Sequence, residues 1–149
     1  MTSQTCTCQC GQTQFTVSGQ PKLRMLCHCT ICQQFNQAPF ADVVVFKTAQ
    51  VSVPDKSSID FKTYKPPPNV NRGVCQHCQQ PVIEFFDMPL MPKLTMVPAA
   101  MFAVQQSLPK PSAHMFYEKR LTDADDQLPK KQGFLRSQLA FFKYLWFGH

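Results

Sequence analysis

Over the first 118 residues, apolar positions either alternate with polar ones or run together in short stretches. Strict alternation is typical of a half-buried β-strand, and a short β-branched run such as FADVVVF is typical of a buried strand. Proline-rich stretches that form turns, for example 65–69 and 87–92, separate these runs. The pattern predicts a mainly β domain over residues 1–133, with strands at Gln14–Val17, Phe40–Phe46, Ile59–Tyr64, Val82–Phe86, Leu94–Val97 and Ala113–Tyr117.

The C-terminal segment, residues 134–149, has a different pattern. Phe134–Phe147 contains no proline or glycine, and its apolar and basic residues fall on different sides of a helical turn. The apolar positions at helical spacing are Leu135, Leu139, Phe142 and Trp146. We predict a short amphipathic helix that docks on the β domain or on a second copy of the chain, giving a homodimer. A membrane anchor lying in the interface is the alternative, since the segment is too short to span a bilayer.

Composition narrows the class of protein. A chain of 149 residues has the usual size of one domain and can bury a core. The formal charge of +6 is scattered, and the longest basic run is Lys130-Lys131, so nucleic-acid binding is not expected. No secretory signal pattern is present at the N-terminus, and eight cysteines in such a chain favour a reducing, cytoplasmic setting and metal ligation over disulfides.

Seven of the eight cysteines form three tight clusters, which are C-x-C-G at 8–11, C-H-C-x-x-C at 27–32 and C-x-x-C at 75–78. Neighbours this close are poor disulfide partners, but they can reach one zinc ion from a single tight turn. Four thiolates close a zinc site, whereas three leave a position for water or substrate. Seven cysteines therefore divide naturally into four and three, although spacing alone does not say which clusters share a metal.

Cys6 is the additional cysteine. Because Cys6, Cys8 and Cys10 alternate, the first knuckle could use either the earlier or the later pair. Gly11 favours the later pair, since the chain must turn there. We expect Cys6 to be a loose terminal thiol, with a substitute ligand or a redox group as alternatives.

The order of these clusters resembles the glutathione-dependent formaldehyde-activating enzyme family, which also includes centromere protein V. Further matching features are the tripeptide Ala38-Pro39-Phe40, Arg72 three residues before Cys75, the strand around His114 and an acidic Leu-Pro segment at 125–129. The resemblance covers roughly residues 5–130. It implies a small zinc-binding β-tent, a fold of twisted antiparallel sheets similar to a zinc ribbon. Gln79 departs from the pattern, because the family often has glycine there.

Carried over by position, the resemblance assigns a structural zinc to Cys8, Cys10, Cys75 and Cys78. It assigns a second, labile and catalytic zinc to Cys27, Cys29 and Cys32. Arg72 is the first candidate to anchor a carboxylate of the bound thiol, with Lys22 and Arg24 as weaker candidates and a plain surface position as the alternative for Arg72.

Other polar residues near the clusters are expected to play no part in chemistry. We expect the side chains of His28 and His77 to face outward, since thiolates already suffice for each metal. We expect His114 to pack on its strand and Asp123, Asp125 and Asp126 to form a solvated turn.

The implied chemistry is that of a carbon–sulfur lyase acting on thiol adducts of a small aldehyde. In the resembled enzymes, glutathione and formaldehyde combine to S-(hydroxymethyl)glutathione. Three thiolates around zinc lower its Lewis acidity, which favours activation of a thiol over hydrolysis by bound water. The alternative function is a zinc-stabilised module that binds protein or nucleic acid without catalysis.

Overall fold

The computed structural model describes residues 2–65 and 70–148. Ten strands and two α-helices lie within these residues, with four single turns of 3-10 helix between them. The strands are β1 Ser3–Thr7, β2 Gln14–Ser18, β3 Leu23–Cys27, β4 Ala41–Lys47, β5 Val51–Ser52, β6 Ile59–Lys62, β7 Val70–Cys75, β8 Pro81–Phe86, β9 Leu94–Pro98 and β10 His114–Met115. The helices are α1 Thr30–Asn36 and α2 Phe134–Phe147. Most of the predicted proline-rich turn, 66–69, lies outside the described residues.

The strands form two open sheets. The small sheet has the order β1-β2-β5 and the large one the order β10-β3-β4-β9-β8-β7-β6. Neighbouring strands are antiparallel, except that β10 runs parallel to β3. The prediction of a mainly β chain with a C-terminal helix is confirmed.

The middle of the large sheet is buried on both faces, as the apolar run in β4 predicts. Val44 and Phe46 belong to one apolar core, which the small sheet covers with Phe15 and Val17. Val43 and Val45 point to the opposite face and join a second core, to which α2 contributes. Because side chains alternate along a strand, one strand supplies both cores. The molecule thus has three layers: the small sheet, the large sheet and α2.

The predicted C-terminal helix forms, and it packs on the β domain through its smaller residues. Ser137, Ala140 and Tyr144 are the buried positions of α2. The apolar residues predicted to form its docking stripe are mostly exposed, with Leu135 at 68%, Leu139 at 61% and Trp146 at 60% of their surface accessible. No helix among the described residues is both long and apolar enough to cross a membrane.

Four strands and one helix were not predicted. β1, β3 and β7 end in or beside cysteine clusters, and β5 has two residues. α1 begins within the central cluster, where Cys29 is its N-cap and the Cys29 sulfur accepts a hydrogen bond from the Cys32 backbone N–H at 3.3 Å. The last predicted strand is shorter than expected, because Phe116 takes a left-handed conformation at φ 52° and a 3-10 turn follows.

Candidate functional site

Four cysteines meet between the two sheets. Cys8 and Cys10 lie in the turn from β1 to β2, while Cys75 ends β7 and Cys78 lies in the turn from β7 to β8. All four sulfur atoms are within 4.8 Å of one another. Gly11 has φ 81°, as expected for the residue after the first knuckle. Gln79, at the equivalent place in the second knuckle, also has a positive φ of 62°, which explains why glycine suits this position.

The spacing of these four sulfurs fits a tetrahedral zinc ion. Zinc–sulfur bonds of about 2.3 Å place tetrahedral sulfurs about 3.8 Å apart. The Cys8 sulfur is 3.5 Å from that of Cys10 and 3.7 Å from that of Cys75, and the Cys10–Cys75 distance is 3.7 Å. The Thr13 backbone N–H donates to the Cys8 sulfur at 3.4 Å, as a group supporting a thiolate ligand would. These four residues can hold a metal ion with every tetrahedral position filled by sulfur.

The second group, Cys27, Cys29 and Cys32, lies on the other face of the large sheet, between the end of β3 and α1. Its three sulfurs are also within 4.8 Å of one another. Cys27 and Cys32 are buried, while Cys29 is partly exposed. Among the described residues, no histidine, aspartate or glutamate joins this group as a fourth ligand. The trio can therefore hold a metal ion with one protein ligand fewer than the first group supplies.

The negative charge of the trio concentrates on Cys29. Hydrogen bonds from the Cys27 and Cys32 thiols, together with the charge of Arg72, lower the pKa of Cys29 to about 3. The same interactions raise the pKa of Cys27 and of Cys32. A cationic metal is the natural partner for sulfurs packed this closely, because it neutralises thiolates that would otherwise repel each other.

Arg72 and Glu84 form a buried ion pair beside the trio. They face each other across β7 and β8, and the Arg72 Nε lies 3.7 Å from a carboxylate oxygen of Glu84. The Arg72 side chain is 10% exposed and Glu84 is 2% exposed, so the alternative of a plain surface arginine is wrong. Burial raises the pKa of Glu84 to about 7, against the opposing charge of Arg72.

Both members of this pair keep buried polar atoms without a hydrogen-bond partner among the described residues. These atoms are the Arg72 Nε and the Glu84 Oε1. Buried polar atoms in native proteins are nearly always satisfied, so these two are prepared for a partner such as a ligand or water. Sequence reasoning found Arg72 but missed Glu84, whose signal was a lone carboxylate within the otherwise apolar run PVIEFF.

The weaker cationic candidates are placed elsewhere. Arg24 donates two hydrogen bonds to Asp42, at 2.8 and 2.7 Å, and is committed to that pair. Lys22 lies at the other end of β3 from the trio, beside Trp146 of α2. Neither residue lies beside the three cysteines, whereas Arg72 does.

Two buried histidines and the exposed Asp126 form a chain of side chains that supports the central cysteine loop. The His28 Nε2 and the His114 Nδ1 are 2.8 Å apart, and the His114 Nε2 lies 2.8 Å from a carboxylate oxygen of Asp126. Burial, and then the charge of His114, lower the pKa of His28. The side chain of His28 is therefore not turned outward as predicted; it is 2% exposed and packs against Phe40 and Tyr117.

Asp126 is exposed, as predicted for a solvated turn, and the predictions for His77 and His114 are confirmed. The prediction missed that Asp126 also pairs with His114 and Lys130. His77 is exposed, and His114 is buried on its strand. No pattern in the sequence indicated the chain from Asp126 to His28, because its members are 86 and 12 residues apart and meet only when β10 pairs with β3.

Backbone contacts hold the same loop. The His28 N–H donates to the Met115 carbonyl at 2.9 Å, and the Gln33 side-chain amide donates to the His28 carbonyl at 2.7 Å. Gln33 also donates to the Lys119 carbonyl at 2.8 Å. The residue joining Cys27 to Cys29 is thus anchored at its ring, its N–H and its carbonyl.

Cys6 is not a loose terminal thiol. It lies on β1 with 0% of its surface exposed, pairs with Phe15 and bridges to Phe102. Burial raises the pKa of its thiol to about 12. Cys6 is a core residue beside the four-cysteine group but outside it.

Comparisons with known proteins agree with this fold. No curated protein matches the chain. A crystal structure of a Rhodobacter sphaeroides protein, solved as a structural genomics target, is similar with a TM-score of 0.54 and 13% sequence identity over 85% of this chain and 98% of that one. Identity this low shows a shared fold alone. The model of the family described as glutathione-dependent formaldehyde-activating enzyme matches residues 3–119, so the chain belongs to that family.

Proposed function

We propose that this protein is a zinc-dependent enzyme of the carbon–sulfur lyase type, which makes and breaks the adduct of glutathione with a small aldehyde such as formaldehyde. Family membership supports glutathione and formaldehyde as the reactants. The observation that carries the proposal is the difference between the two cysteine groups, since one has four sulfurs and the other has three. A complete site suits a structural metal, and a site one ligand short suits chemistry.

In this proposal, Cys8, Cys10, Cys75 and Cys78 hold a structural zinc in a zinc-ribbon-like arrangement. Cys27, Cys29 and Cys32 form the catalytic centre and hold a second, labile zinc. Zinc at the trio would supply an open position that favours the thiolate form of an added thiol. Thiolate ligands need a reducing environment, so we also propose a cytoplasmic location.

Side chains of the protein would bind glutathione and transfer the thiol proton. Arg72 has a buried Nε without a partner and lies close enough to lower the pKa of Cys29, so it can orient a carboxylate of glutathione. The Glu84 Oε1, also buried and without a partner, can accept the thiol proton and return it to the aldehyde oxygen as the carbon–sulfur bond forms. The reaction is then balanced, because the S–H bond and the carbonyl π bond are replaced by C–S and O–H bonds.

The test is a metal count combined with an activity assay. Wild type should bind two zinc ions, and added glutathione should perturb one of them. Cys29→Ser should keep the fold, bind one zinc and lose at least about 100-fold in the rate of adduct exchange, since even changes outside the ligand set cost up to that factor. Cys6→Ala is the control, because it removes a thiol that belongs to neither group. One zinc in wild type with no response to glutathione would contradict the proposal.

A second candidate is a zinc-stabilised binding module without catalysis. The exposed apolar residues of α2, such as Leu139 and Trp146, favour it, because an apolar helix face in water invites a partner. Retention on DNA that falls steeply with salt would indicate a nucleic-acid partner. Exchange of the glutathione–formaldehyde adduct by wild type, lost in Cys29→Ser, would exclude a purely non-catalytic role.

A further inference from the structure

An apolar cavity of about 140 Å³ lies between α2 and the large sheet. Its walls include Met25, Met96 and Met115 from the strands, Phe86 from β8 and Phe141 from α2. These residues belong to, or pack against, the second apolar core, on the same face of the sheet as the cysteine trio. Neither the structural role of the sheet nor the proposed reaction with formaldehyde requires a space here.

The cavity reaches the candidate catalytic centre. Cys27 is one of its lining residues, and the Cys27 sulfur lies within 4.8 Å of the other two sulfurs of the trio. A group that fills the cavity can therefore be joined directly to an atom that reacts at the trio.

The walls of the cavity select for hydrocarbon. A void of similar size, about 150 Å³, lined by apolar side chains in another protein stays dry and binds benzene. Methionine side chains are flexible and make favourable contacts with aromatic rings. Two polar residues line the cavity: the Ser137 hydroxyl already accepts from the Phe116 N–H at 2.8 Å, and Gln138 is half-buried. A benzene-sized apolar group suits this lining better than a polar one.

We propose that the cavity holds the hydrocarbon group of the aldehyde substrate, so that the substrates extend to benzaldehyde and short branched aliphatic aldehydes. This inference rests on the proposed function. The ring or alkyl group would lie among the methionine and phenylalanine side chains, with the carbonyl carbon at the trio. The bond changes are those given for formaldehyde: the thiol sulfur bonds to the carbonyl carbon, and its proton reaches the carbonyl oxygen.

The first test measures binding without any reaction. 4-Fluorotoluene, an unreactive probe, is titrated into the zinc-loaded protein and followed by ¹⁹F NMR. Wild type should bind it saturably. Val70→Phe, which enlarges a half-buried wall residue, should weaken binding at least tenfold. Val53→Phe is the matched control, because Val53 is a half-buried valine that packs against the other core. Absence of saturable binding, or equal binding by wild type and Val70→Phe, would overturn the inference.

The second test separates this inference from the proposed function. Exchange of the glutathione adduct is followed by NMR with benzaldehyde and with formaldehyde. Val70→Phe should lower kcat/KM for benzaldehyde at least tenfold and change that for formaldehyde less than twofold. Equal losses for both aldehydes, or turnover of formaldehyde alone by wild type, would overturn the inference while leaving the proposed function standing. If the probe binds but neither aldehyde reacts, the proposed function fails, and the assignment of an aldehyde to the cavity fails with it.

Discussion

The two cysteine groups differ in how they are assembled from the chain. The four-cysteine group joins turns 67 residues apart, one from the small sheet and one from the large sheet. The trio comes from a single segment of six residues, from the end of β3 into the first turn of α1. A metal ion at the first group would link the two sheets, so its loss would remove that link, whereas loss of one at the second group would free only a loop that hydrogen bonds already anchor. A metal site that links distant segments suits a structural role, and a site on one loop already held by hydrogen bonds suits a catalytic role.

The largest expected effect is the loss of the four-cysteine site. Cys75→Ser should leave the protein largely unfolded, because a structural zinc contributes about 10 kcal/mol or more of binding free energy, comparable to the whole stability of a domain. Circular dichroism and urea unfolding measure this. Cys29→Ser is the matched variant from the other group and should retain most of the wild-type stability. Equal destabilisation of the two variants would erase the distinction between the groups.

Glu84→Gln should lower the rate of adduct exchange about 100-fold, at the low end of what a general acid–base contributes. Its shape is conserved, so the fold should persist. Asp87→Asn is the control, because Asp87 is an exposed carboxylate paired with Lys93 at the surface. An unchanged rate in Glu84→Gln would show that the proton travels by another route.

The Glu84→Gln variant also tests a pH dependence of the free energy of unfolding. Burial raises the pKa of Glu84 to about 7 from an ordinary 4.5, so the folded state holds a proton that the unfolded state releases in this window. The stabilising contribution is complete below pH 4.5 and is lost as the pH rises through 7. The stability difference between wild type and Glu84→Gln should therefore shift against wild type from pH 5 to 8, measured by urea midpoints at constant zinc.

A smaller effect is expected from the support of the cysteine loop. Asp126→Asn weakens the chain through His114 to His28, and we expect about a tenfold loss of affinity for the more weakly bound metal ion, with the fold intact. The visible spectrum of the cobalt-substituted protein should change for the trio alone. Asp125→Asn is the control on the same segment, since Asp125 is exposed and its neighbour makes the bond to His114. Identical metal affinities in the two variants would contradict this role of Asp126.

The smallest effect concerns α2. If its outward apolar residues pair two copies of the chain, as the sequence predicts, Leu139→Glu should convert a dimer into a monomer without lowering stability by more than about 0.5 kcal/mol, because Leu139 is exposed. Sedimentation velocity measures the change, with Gln132→Glu as an exposed control before the helix. A monomeric wild type would remove the homodimer prediction.

The pattern of the chain was sufficient for the mainly β class, for most strands of the large sheet and for the position of α2. These features follow from local periodicity, because the order of apolar and polar residues along a strand or helix shows which of its faces are buried. The cluster spacing likewise indicated two metal groups, and the pairing of distant clusters followed from the family resemblance. On the β domain, α2 buries Ala140 and Tyr144, while the larger apolar residues of its predicted stripe are mostly exposed.

Only the tertiary structure decided what surrounds each cluster. The Arg72–Glu84 pair, the path from Asp126 to His28 and the cavity at Cys27 each join residues from different elements of the fold. A one-dimensional pattern records the class of each side chain but not its neighbours across a sheet. The sequence therefore determined the secondary-structure elements and the candidate metal ligands. The tertiary structure determined the charged residues, the hydrogen bonds and the cavity around those ligands.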